Sequence, residues 1–176
     1  MIFIYNGIFI VFCNYRDNRM RLLEIYTDGS LRRKNNIKRA SSAIYFPNRE
    51  FNNISEEIDM CDIHYAELYA IKRALSIIIN SVPKYNKITF YTDSNHCINK
   101  INKWYSIYKN NEIDKMKTKR GNDIKNKNLL LEVYNLIGDN MDKFEFEFVK
   151  AHTNGKNQKT LNNKLVDKLA KSKTKI

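Results

Sequence analysis

The chain has 176 residues, 43% apolar and 28% charged, with five Gly and two Pro. That length suits one domain or one domain plus an appendage, and the composition excludes disordered, collagen-like and linker-like chains. The net charge of +12 points to a polyanionic partner, either nucleic acid or an anionic membrane surface.

The positive charge is concentrated. Residues 100–128 hold nine Lys/Arg against three acids, and residues 150–176 hold eight Lys against one acid. The remainder is close to neutral. Cys13, Cys61 and Cys97 form no CxxC pair and leave an odd thiol. This favours a reducing intracellular compartment, cytoplasmic or nuclear, over secretion.

In chain order, residues 1–13 are almost wholly apolar. They lack a basic n-region and a small-residue cleavage site, and they are too few to span a bilayer. Asn6-Gly7 between two β-branched runs suggests a hairpin turn. Residues 1–20 are set apart as an extension, with Met20 as an alternative start, and no stable membrane association is expected. Residues 21–176 form the main domain. Leu22–Thr27 reads as a strand ending at the turn signal Asp28-Gly29-Ser30. Residues 41–46 and 51–59 read as two more strands. Ala66, Tyr69, Ala70, Ala74 and Ile77 recur at helical spacing within 64–80, and Pro83 stops that helix. Residues 87–92 read as a strand. Ser94 is a candidate N-cap for a helix to about residue 103. Residues 104–128 mix aromatics and Lys, too polar for core and too aromatic for a pure linker. A helix over 129–140, an alternating strand over 144–149, a polar loop over 151–159 and a helix over 160–172 complete the chain. The order βββ-α-β-α-α-β-α predicts an α/β domain, a five-stranded mixed sheet flanked by helices.

Four acids fall where such a sheet places ligands. Asp28 follows the first strand, Glu67 opens the long helix, Asp93 ends the fourth strand and Asp167 lies in the last helix. Asp28-Gly29 is also a common turn pair, Asp93 a possible cap, and Asp167 a possible solvated acid among lysines. Glu67 is harder to dismiss. It shares a helix face with Ile71, Ala74 and Ile78, and no Lys or Arg lies on that stripe. An unpaired buried carboxylate costs several kcal/mol. Clustered carboxylates suit hard divalent cations, and a pair of such ions can hold the attacking and leaving oxygens of a phosphoryl displacement. A basic surface beside them suggests metal-dependent phosphodiester hydrolysis.

Four segments taken together resemble a known family. Tyr26-Thr27-Asp28-Gly29-Ser30, Ala66-Glu67-Leu68-Tyr69-Ala70, Tyr91-Thr92-Asp93-Ser94 and Asn163-Lys164-Leu165-Val166-Asp167-Lys168-Leu169-Ala170 are similar to the ordered motifs of type 1 ribonuclease H, across about residues 21–173. The resemblance implies the RNase H-like fold and cleavage of the RNA strand of RNA–DNA hybrids, leaving 5′-phosphate and 3′-hydroxyl ends. It implies Asp28, Glu67, Asp93 and Asp167 as catalytic, metal-binding carboxylates for two Mg²⁺ ions, with Mn²⁺ a possible substitute. His152, in Val149-Lys150-Ala151-His152, would assist proton transfer or product release. Ser30, Asn95 and Asn163 would contribute polar contacts to nucleic acid at the site. Trp104, Tyr108, Lys109, Lys115, Lys117, Lys119 and Arg120 would form the basic protrusion that grips nucleic acid, although Trp104 is equally suited to anchoring that protrusion. His64 and His96 receive no role, and the segment before Glu67 lacks the paired Asn residues that contact RNA hydroxyls in some members. The protein is expected to act as a monomer on RNA–DNA hybrid. The alternatives are a same-fold nuclease acting on branched or other DNA, and an inactive nucleic-acid-binding domain.

Overall fold

A computed structural model describes residues 2–5, 8–11, 20–151 and 157–175, with side chains from residue 20 onward. Strands β1 (Ile2–Tyr5) and β2 (Ile8–Val11) pair antiparallel, with Tyr5 opposite Ile8. The Asn6-Gly7 turn itself lies outside the described residues.

The main domain is built on a five-stranded mixed sheet. Its strands are β3 (Leu22–Lys34), β4 (Ile37–Tyr45), β5 (Ile54–Ile58), β6 (Lys87–Thr92) and β7 (Phe144–Phe148), in spatial order β5-β4-β3-β6-β7. The β3–β4 and β4–β5 pairs are antiparallel, while β3–β6 and β6–β7 are parallel. The expected element order and mixed sheet are both found.

Among the described residues there are four α-helices, with α1 and α4 packed directly on the sheet. Helix α1 (Ile63–Ile78) is started by Asp62, whose side chain accepts from the Tyr65 amide, and gives way to a 3-10 turn containing Pro83. Helix α2 (Asn95–Lys109) is capped by Ser94, whose hydroxyl accepts from the Cys97 amide. Helix α3 (Lys127–Ile137) ends at Gly138, which takes φ +56. Helix α4 (Gln158–Lys173) starts at Asn157, which accepts from the Thr160 amide.

The apolar periodicity divides the core by face. Leu23 and Ile25 of β3 point toward α1, where Leu68, Ile71, Leu75 and Ile78 join Val133 and Tyr134 of α3 in the larger cluster. The alternate residue Tyr26 points the other way, toward Val166 and Ala170 of α4, and stacks on Tyr91 at 4.6 Å. Hydroxyls join α4 to the sheet. Ser41 donates to the Ala170 carbonyl, Ser55 donates to the Leu169 carbonyl, and Ser30 bonds Thr174.

Two sequence expectations are corrected here. Strand β3 does not end at Asp28-Gly29-Ser30 but runs on for several residues to Lys34. The reversal falls at Asn35-Asn36, both at positive φ (48 and 62), as a two-residue hairpin requires. Gly29 serves close packing instead. A Cβ there would stand 2.6 Å from the Glu67 amide nitrogen and 2.9 Å from Ala66. Helix α2 also runs to Lys109 rather than 103, so Trp104 and Tyr108 are helical residues facing the core.

Candidate active site

Each of the four acids is carried by an element fixed independently of the others. Asp28 sits inside β3, with its side chain on the α4 face of the sheet. Strand β6 runs parallel to β3 with Tyr26 beside Tyr91, and continuing that register sets Asp93 beside Asp28. Helix α1 crosses β3 at the bare backbone of Gly29, which brings Glu67 alongside. Asp167 rides on α4, the helix packed against Tyr26 and Ala43.

The electrostatics register this meeting. Asp28 is 6% exposed. Burial, reinforced by the negative charges of Asp93, Asp167 and Glu67, pushes its carboxyl up to about 8, against the bond it accepts from the Gly29 amide at 2.8 Å. The site therefore carries more negative charge than the protein's own groups neutralise.

Around the acids, contacts hold individual oxygens. Ser94 donates to Glu67 Oε2 at 2.5 Å, and His64 Nδ1 lies 3.4 Å from the same oxygen. Lys171 Nζ stands 2.7 Å from Asp167. Cys97 lies beneath Glu67; burial pushes its thiol up to about 12, so it is an uncharged packing residue at neutral pH. Among the described residues, no three acids or histidines are gathered into a finished metal cage. The donor chemistry nonetheless fits a hard cation. A buried carboxylate with a raised pKa, three further acids near it, and the buried, unpartnered Oδ1 of Asn163 leave oxygen ligands with charge to be compensated.

The remaining expected site residues separate into three groups. Ser30 and Asn163 are buried, at 8% and 4% exposure, and Ser30 is spent on Thr174. Little of either side chain reaches the surface. Trp104 and Tyr108 pack against the larger core; Tyr108 lies 4.9 Å from the Tyr134 ring and donates to Asn135. They anchor the segment between α2 and α3, which is also clipped down by buried Met116 and Ile124. Of the expected basic contacts, Lys109 pairs with Asp139, Lys115 with Glu112, and Lys117 with Asp123 at 3.1 Å. Lys119 and Arg120 are exposed at the tip and make no ion pair among the described residues. Asn95 is exposed at the first position of α2. His152 lies outside the described residues.

Sequence reasoning gave His64 and His96 no role. Their rings lie tilted with centroids 4.3 Å apart, His64 beside Glu67, and His96 is held below the usual histidine range by partial burial, with His64 and Lys100 adding to it. The signal was available, since His64 and Glu67 stand three residues apart and therefore share a helix face.

A mixed five-stranded sheet flanked by helices, with α4 packed on one face, defines an α/β domain. The RNase H family model matches residues 20–175, and the chain belongs to the RNase H family. It is 34% identical over 136 residues to a probable ribonuclease H of Acanthamoeba polyphaga mimivirus, covering 75% of this chain and 57% of that protein. The chain thus spans little more than half the length of that relative. The RNase H domain of the foamy virus PFV superposes with a TM-score of 0.67 at 20% identity, covering 86% of this chain and 93% of that domain. The foamy viral protease-reverse transcriptase in complex with RNA/DNA hybrid gives a TM-score of 0.65 at 16% identity, covering 85% of this chain and 19% of that one. These structural likenesses speak for the fold. Among the described residues, no helix is long and apolar enough to cross a membrane.

Proposed function

We propose that the chain is an endoribonuclease that hydrolyses the RNA strand of RNA–DNA hybrids by two-metal-ion catalysis, leaving 5′-phosphate and 3′-hydroxyl ends. The observation that carries this reading is Asp28, a buried carboxylate whose pKa is raised by burial and by three neighbouring acids. Family membership and a relative named as a probable ribonuclease H support it.

Asp28, Glu67, Asp93 and Asp167 would hold the Mg²⁺ ions. Bound divalent ions supply charge neutralisation at the scissile phosphate and lower the pKa of water. The protein's part is placement. Gly29 lets the Glu67 backbone approach β3, Ser94 fixes which Glu67 oxygen is free, and Lys171 steadies Asp167. His152 is proposed to carry a proton to or from the reacting oxygens or to assist product release; an unperturbed histidine suits that task. Asn95, Lys119 and Arg120 are proposed as exposed contacts to the substrate.

The test is cleavage of labelled RNA–DNA hybrid, double-stranded RNA and branched DNA, with Mg²⁺ or EDTA, by the wild type and by Asp28→Asn. Cutting confined to the hybrid's RNA strand, and lost with EDTA and with the substitution, is the expected outcome. Cutting of branched DNA alone, or tight binding without cutting, would overturn it.

A further inference from the structure

The longest strand, β3, extends beyond the site and ends in a basic hairpin. Residues 32–39 hold Arg32, Arg33, Lys34, Lys38 and Arg39 and no acid. All of them are exposed. The register sets Arg32 opposite Arg39 and Arg33 opposite Lys38. Like charges directly across a strand pair destabilise it. Arg39 is relieved by Glu57 at 3.6 Å. Arg32, Arg33 and Lys38 have no acidic partner among the described residues. A tight Asn35-Asn36 turn holds the two strands together in spite of this repulsion.

Alternation along β3 places Arg32 on the face that carries Asp28, and Arg33 with Lys38 on the opposite face. Arg32 lies four residues past Asp28. At about 3.3 Å per residue, that is about 13 Å, or roughly four steps of duplex at 3.4 Å each. A helical polyanion lying over the carboxylates would run alongside the hairpin, and its phosphates are the counter-charge the hairpin lacks.

We propose that the β3–β4 hairpin is a phosphate-binding arm. Through Arg32, on the face that carries Asp28, it holds the duplex about four base pairs from the point of cleavage, while Arg33 and Lys38 on its other face add to the positive field. This rests on the nuclease reading for its position relative to the cut, but not for its affinity for nucleic acid. The arm contacts backbone only, so it sets affinity and the length of duplex needed rather than sequence preference.

The experiment compares the wild type with the triple variant Arg32→Gln, Arg33→Gln, Lys38→Gln in two assays. Binding to a fluorescent hybrid of about 18 base pairs is measured in EDTA across a salt series; log Kd against log salt should lose about 1 of its slope or more, close to 0.9 per phosphate contact. In Mg²⁺, KM for that hybrid should rise about tenfold or more, and the penalty should shrink as the duplex is trimmed toward about four base pairs from the cut. The melting temperature should hold or rise, because the substitutions remove repulsion. A slope that does not change would overturn the arm even in an active enzyme. A melting temperature that falls in step with binding would also overturn it, since the residues would then be structural. A wild type that cuts no hybrid yet loses salt slope on substitution would keep the arm and refute the nuclease reading.

Discussion

Replacing Asp28 with Asn should make the metal-free protein more stable, and by an amount that grows with pH. The carboxyl ordinarily titrates at 3.8, and in the folded protein burial and its acidic neighbours push it up to about 8. Folding therefore favours the protonated form. The stabilising share of that proton is complete below about pH 4 and is lost as pH climbs toward about 8, with ~1.4 kcal/mol removed per pH unit. At neutral pH the upper bound is on the order of 4 kcal/mol, and relaxation toward a surface-like dielectric leaves about 2. Asn keeps the oxygen that accepts from the Gly29 amide and cannot ionise. For a domain of this size, ~2–4 °C per kcal/mol gives a gain of roughly 5–15 °C. The assay is thermal unfolding of both proteins in EDTA between about pH 5 and pH 8. The two melting curves should separate as pH rises. Mg²⁺ should then raise the wild type strongly and the variant weakly, since bound ligand stabilises only the state that binds it. Equal melting temperatures across that range, or a variant less stable at the alkaline end, would refute the account of the site as an uncompensated acidic cluster.

Two further substitutions probe the scaffold. Gly29→Ala should cost about 2–3 kcal/mol in urea unfolding and lower kcat, because its Cβ must push backbone aside between β3 and α1. A stable and fully active variant would show that the contact is loose. Trp104→Ala should cost about 2–3 kcal/mol through lost packing while leaving the salt dependence of hybrid binding unchanged; a flattened slope would return Trp104 to the nucleic-acid surface.

Periodicity made most of the fold legible. The long apolar stripe of α1, the run Lys87–Thr92 and the alternation in Phe144–Phe148 each carry the signal of their element. Local chemistry misled where tertiary contact overruled it. Asp28-Gly29-Ser30 has the composition of a turn, yet the glycine answers to a helix lying across it, a demand that no short window encodes. Ser30 and Asn163 belong to matching motifs, but their burial depends on where the end of α4 docks. The lysines of the α2–α3 segment counted toward a positive field until their partners Glu112, Asp123 and Asp139 came into reach. The hairpin arm failed to show for the opposite reason. Acids between residues 50 and 62 balanced it in the total, although most of them lie on β5 and the turns around it.

The manner in which α4 is attached has a consequence for how the molecule matures. The larger apolar cluster is complete without any residue of α4, whereas the smaller one and three hydroxyl contacts bind that helix to the sheet. A nascent chain can thus consolidate most of its interior while still lacking Asp167. Under the proposed function, cleavage would wait until α4 seats itself, so turnover would report completion of folding more stringently than helix content does.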